Sequence, residues 1–384
     1  MKRLIILLLS ITLVLTGVAF WFFRTQWVPP HLRSDETHSV LYADFDEEDK
    51  RQSGEIRVVI PEVYELMNIA IALTETSQNN PYRYADHGAA YYQEVMDYFG
   101  SYDDHPLIAE VEASLRRFPS HRAIFDYVFK GDEIVPGGPF AGSWRDSVFE
   151  DYLPLMEDFA VASDFRQFFA DHQEFYDEQV ALYKEIVPLR DIWTWMENEF
   201  PNRYDAYTVV ISPLVRGTHN TFCYRDEAGD DHWEMVMFVS GPTGTSNPEI
   251  SQQVREALIT RSVFTEIDHN YVNPVTDNAE YLDRIDLAMR DFRNWNTQRG
   301  YGNPAQTFNE YMTWATYTLF AKDYYDADVF AEANAYTVDQ MEGQRRFPRF
   351  GAFDAALLDL YENRAPGATV ADLYPDVLAW LKAQ

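Results

Sequence analysis

A mainly α fold with a small β-sheet, an α+β class, is what this sequence predicts. Apolar residues recur at helical spacing along most of the chain, whereas only Glu55 to Ile60, Tyr204 to Ile211 and Trp233 to Ser240 read as strands. Aromatic residues make up 16% of the chain, with 26 Phe and 25 Tyr, which suits helices packed through many buried rings. With 46% hydrophobic residues in 384, the chain can bury a large core.

The chain opens with Met1-Lys2-Arg3, followed by the uncharged run Leu4 to Phe23 and then Arg24. A basic start and an apolar run mark an export signal, and this run is long enough to span a bilayer. Trp21-Phe22-Phe23 and Trp27 form an interfacial aromatic belt, and no small-x-small cleavage site precedes it. Residues 1–27 therefore read as an uncleaved signal anchor. The protein is expected in the cell membrane as a single-pass protein, with its main domain outside the cytoplasm. Residues 28–54, with Pro29-Pro30 and the acidic run Asp44 to Asp49, read as a polar linker.

Residues 55–384 read as a single large domain. Its helical N-terminal part, about 61–200, starts at Pro61 and continues through Tyr82 to Phe99, Pro106 to Phe118, His121 to Phe129 and Ser163 to Ile186. Gly137-Gly138-Pro139 is a loop and not a phosphate cradle, since no Gly-Lys-Ser/Thr follows. The site-bearing part, about 201–325, holds two of the strands and three helices: the site helix, Arg284 to Trp295, and one opened by Asn303-Pro304 and running to about Tyr325. Further helices fill 326–384.

The formal charge of -31, from 62 acids against 31 bases, excludes nucleic acid as a partner, because no basic patch can supply the phosphate contacts. Cys223 is the only cysteine, so there is no internal disulfide, and it reads as a small buried hydrophobe.

The chemistry concentrates in Thr265-Glu266-Ile267-Asp268-His269-Asn270-Tyr271-Val272-Asn273-Pro274. Glu266 and His269, three apart, share one face of a helix. That helix is expected to start at Asn247-Pro248-Glu249 and to stop at Asn273-Pro274. Ser262, Thr265, Glu266 and His269 form its polar edge, and Ile259, Val263, Phe264, Ile267 and Tyr271 its apolar one. In His-Glu-x-x-His both histidines hold one metal ion and the Glu polarises its water; here Thr265 stands in place of the first histidine. Glu and His at this spacing also arise on ordinary solvated helices.

The stretch resembles the His-Glu-Phe-x-His-x-x-Val-Asn-Pro signature of a family of exported bacterial proteins regarded as zinc metallopeptidases, and the Val-Asn-Pro tail is its more distinctive part. The resemblance spans roughly Ile56 to Lys382. It implies a zincin-like core embedded in many helices, acting on a peptide or protein substrate. It also implies a Zn²⁺ ion held by His269 and by Glu310 from a later helix, with Glu266 as the catalytic group.

Thr265 leaves three readings open. Glu266 acts as a metal ligand beside His269 and Glu310, with His219 as a weaker fourth candidate; or the metal is lost and the pocket binds a peptide or envelope partner; or the residues are only a buried hydrogen-bond network. Asp268 lies about 100° from His269 around the helix and cannot simply replace Glu266 as base. Tyr271 and Tyr311 are further candidates for aiding a transition state. The sequence expectation is a metal-dependent hydrolase with a diverged motif, and its alternative is an inactive peptidase-like binding protein.

Overall fold

Side chains alternate across the central strands, and that alternation builds two separate cores. A computed structural model describes residues 40–384 except 82, 116–121, 123, 144–150, 230, 243–249 and 299. The strands are β1 (Val40–Ala43), β2 (Ile56–Val59), β3 (Tyr127–Lys130), β4 (Glu133–Pro136), β5 (Ala206–Ser212), β6 (Asn220–Asp226) and β7 (Trp233–Ser240). Five of them form a mixed sheet in the order β1-β6-β7-β5-β2, while β3 and β4 pair as a separate hairpin. β6 runs antiparallel to β7, and the other neighbours in the sheet run parallel. Tyr207, Val209, Ile211, Met235, Met237 and Val239 enter one core. Val210, Val236 and Phe238 enter the other.

The second core is closed by α1 (Glu62–Leu73), α2 (Ala90–Phe99), α3 (Pro106–Ser114), α4 (Leu153–Ala162), α5 (Phe165–Asp171) and the start of α6 (Gln173–Ile186), whose later Tyr183 enters the first core. The first core takes α7 (Leu189–Glu199), α8 (Gln252–Thr276), α9 (Ala279–Ala288) and α10 (Pro304–Tyr324). Beyond them follow α11 (Ala327–Asp339), α12 (Phe350–Glu362) and α13 (Tyr374–Lys382). The mainly helical α+β class is therefore what the chain adopts. The described chain belongs to one compact unit, His38–Gln384. Among the described residues no helix is long and apolar enough to cross a membrane; the expected anchor at 1–27 lies outside them.

Several elements differ from the sequence expectation for local reasons. Residues 40–54 are not linker: they supply β1 and a one-turn helix, Glu47–Lys50. The acids there are capping groups, since Asp46 accepts from the Glu48 and Asp49 amides and Asp49 returns the bond to the Asp46 amide. The end of the expected helix His121 to Phe129 is strand instead: it forms β3, turned into β4 at Gly131, whose φ of +66° suits glycine. Ser163 to Ile186 is broken at His172, whose Nδ1 meets the Phe168 carbonyl at 2.7 Å and competes with helical continuation. β6 escaped notice because its outer half is polar, yet it fills the slot between β1 and β7.

The site helix α8 also departs from expectation at both ends. Its expected start, Asn247-Pro248-Glu249, lies outside the described residues, and the helix is capped by Ser251, whose Oγ accepts from the Val254 amide at 3.2 Å. It runs through Pro274 to Thr276. Proline has no N–H for the Asn270 carbonyl. The Tyr204 hydroxyl donates to that carbonyl at 2.5 Å and removes the cost of leaving it empty.

Tyr204→Phe should therefore destabilise the fold by about 1–3 kcal/mol, read as a lower urea midpoint at unchanged m. Glu65 of α1 is fully buried, and burial raises its carboxyl to about 7 against an ordinary 4.5. The folded state thus holds a proton that the unfolded chain releases, and stability falls as pH rises from 4.5 to 7. Glu65→Gln should match the wild type near pH 4 and exceed it by about 3 kcal/mol at pH 8 in chemical denaturation.

Candidate functional site

The polar edge of α8 faces α10 across a seam lined on both sides by buried polar groups. α10 is set by Asn303, whose side chain accepts from the Gln306 amide at 2.8 Å, with Pro304 in the first turn. The Tyr317 hydroxyl donates to the Ala257 carbonyl at 2.7 Å and ties α10 to α8. Asn270 Nδ2 donates to Thr221 Oγ1 at 2.8 Å and ties α8 to β6.

This seam brings His269 and Glu310 together. His269 Nε2 lies 3.4 Å from Glu310 Oε1, with 20% and 7% of their side chains exposed. His269 Nδ1 lies 3.3 Å from Asn273 Oδ1. Burial pulls the His269 imidazole down, but the hydrogen bond and charge of Glu310 outweigh it and leave the pKa raised. Burial likewise pushes Glu310 up, yet the Arg345 charge and the His269 hydrogen bond hold it below the ordinary carboxylate range.

The partner that sequence reasoning missed is Arg345. Its Nη2 donates to Glu310 Oε2, and to the Tyr301 hydroxyl at 2.6 Å. The guanidinium lies over the Trp314 ring at 4.6 Å, where Arg261 also stacks at 4.9 Å. A π-turn, Gln340–Gln344, delivers Arg345 to this place. No motif marks it; the local signal is an arginine beside Gly343 and Phe347 after a helix.

Glu266 is half-buried on the same edge. Burial raises its carboxyl to about 7, and the nearby charges of His269, Arg122 and Arg345 oppose that rise. Asp268 is fully buried and, through burial and the charges of Glu266 and Glu310, is pushed well above the ordinary range, so it is a neutral acid rather than a base. Thr265 Oγ1 turns back to the Ser262 carbonyl at 3.4 Å. His219 feels the charges of Arg122, Arg345 and Arg261, which with burial lower its imidazole to about 4, and its Nε2 is buried without a hydrogen-bond partner. Tyr271 and Tyr311 are locked in the first core: Tyr271 pairs with the Tyr207 hydroxyl, and Tyr311 donates to the Trp295 carbonyl at 2.7 Å.

The donors do not fit the expected zinc site. Ligands about 2.0–2.2 Å from one tetrahedral ion stand about 3.3 Å apart, so the His269–Glu310 spacing alone is compatible with one. Thr265 is turned to the backbone and the second oxygen of Glu310 is taken by Arg345, so Glu266 would have to supply the third donor. Among the described residues no three His, Cys, Asp or Glu side chains converge as ligands of one ion would.

Residues 143–380 match the family described as a domain of unknown function (DUF4932), a span that includes Glu266, His269, Glu310 and Arg345. No curated protein and no solved structure matches the chain.

Glu310→Gln should lower the pKa of His269 in an NMR titration, since the group that raises it is gone. A raised histidine stabilises the fold fully below its unfolded value and loses that effect as pH rises through its folded value. Removing one partner of this buried pair should cost about 3 kcal/mol near pH 6, and less at pH 9.

Proposed function

We propose, on the premise that the chain belongs to the DUF4932 family, that this protein is a metal-independent binding protein on a peptidase-like helix pair. It sits in the cell membrane through its N-terminal segment, with the main domain outside, and takes a peptide or a segment of an envelope protein at the α8–α10 seam. The observation that carries this reading is the pairing of both Glu310 oxygens with the protein's own cations, His269 and Arg345. A zinc ion beside Glu310 meets a fixed guanidinium there, and the like charges oppose its binding.

Recognition in this reading falls to Glu266, His269, Tyr301 and Arg345. Glu266 accepts or donates a hydrogen bond near neutral pH, because its carboxyl is raised to about 7.

A second reading, a zinc-dependent hydrolase with Glu266, His269 and Glu310 as ligands, is favoured by the 3.4 Å spacing of His269 and Glu310. Elemental analysis of the full chain, purified in detergent and dialysed against zinc, separates the two. The binding reading expects less than about a tenth of an equivalent. About one equivalent, lost on Glu310→Gln, would sink it in favour of the hydrolase.

A further inference from the structure

We propose that Arg345 docks a carboxylate carried by the peptide ligand, an inference that rests on the metal-free reading of the site. The charges at the seam do not balance. Arg261 and Arg345 lie over one Trp314 ring, and His269 stands beside them. The recorded hydrogen bonds of Arg261 go to Thr337 Oγ1 and Gln340 Oε1, both neutral. Among the described residues Glu310 is the carboxylate in direct contact with Arg345, and Glu266, whose charge also acts on Arg345 and His269, has its carboxyl raised by burial to about 7. Buried cations are normally paired, so a ligand anion supplies what the protein leaves out.

Arg345 is prepared for that role. Its recorded hydrogen bonds leave from Nη2 alone, its Nε is buried and makes none, and 26% of the side chain stays open. Nη1 is the donor group left open to a ligand, since Nη2 is taken and Nε is buried, and a carboxylate oxygen accepts a charge-assisted hydrogen bond from it. The head group is held before the ligand arrives: Trp314 supports its face, Tyr301 takes one donor, and Gln298 donates to the Arg345 carbonyl. A chain with a formal charge of -31 repels a multiply charged anion at long range, which favours a singly charged carboxylate over phosphate.

The test uses the full chain in detergent, titrated by calorimetry with three probes: N-acetyl-glycylglycine, its C-terminal amide, and N-acetyl-aspartate amide. The acid probe should bind and its amide should not, and Arg345→Met should weaken the acid at least about tenfold. Binding of N-acetyl-aspartate amide assigns the carboxylate to a side chain, and its failure beside a binding acid assigns it to a chain terminus. Equal binding of acid and amide, no binding of either carboxylate probe, or an unchanged affinity in Arg345→Met overturns the proposal. If Arg345→Met does not fold, the acid and amide on the wild type still decide. One equivalent of zinc in the same preparation overturns the reading beneath; no zinc and no preference for the acid overturns carboxylate docking alone.

Discussion

A carboxylate sealed between two helices has to find positive charge, and Glu310 finds it twice. His269 reaches one oxygen and Arg345 the other. The remaining features of the seam follow from that demand. Against burial, Glu310 raises the pKa of His269, and the Arg345 charge with the His269 hydrogen bond holds Glu310 below the ordinary carboxylate range. Each group's charge state is set by its neighbour, so none of them acts alone.

The sheet holds this network in register. Its two faces feed two cores, and α8 lies in the first of them with Asn270 bonded to β6 and its carbonyl bonded to Tyr204. The Tyr204 bond lets α8 pass Pro274 as helix. His269, one turn earlier, therefore sits on a rigid element rather than on a frayed end.

Glu266 and His269 were legible together because helical spacing puts them on one face, whereas Glu310 came from the resemblance alone, since nothing in its own helix pattern sets it apart. The packing of α8 against α10 brings His269 Nε2 to 3.4 Å from Glu310 Oε1. Arg345 was not legible, because it lies 35 residues beyond Glu310 and is delivered by a π-turn that no periodicity signals. β6 was hidden for a related reason: Asn220 and Thr221 look like loop residues until β1 and β7 pair with that strand. The acids of Asp46 to Asp49 were misread because capping boxes and solvated linkers draw on the same residues.

The central claim is that the cation beside Glu310 belongs to the protein. The most direct measurement is anomalous diffraction at the zinc edge from crystals grown with excess zinc. The account predicts no anomalous peak between His269 Nε2 and Glu310 Oε1, with Arg345 still paired to Glu310. A peak about 2.0–2.2 Å from both atoms, with Arg345 swung away, would contradict it.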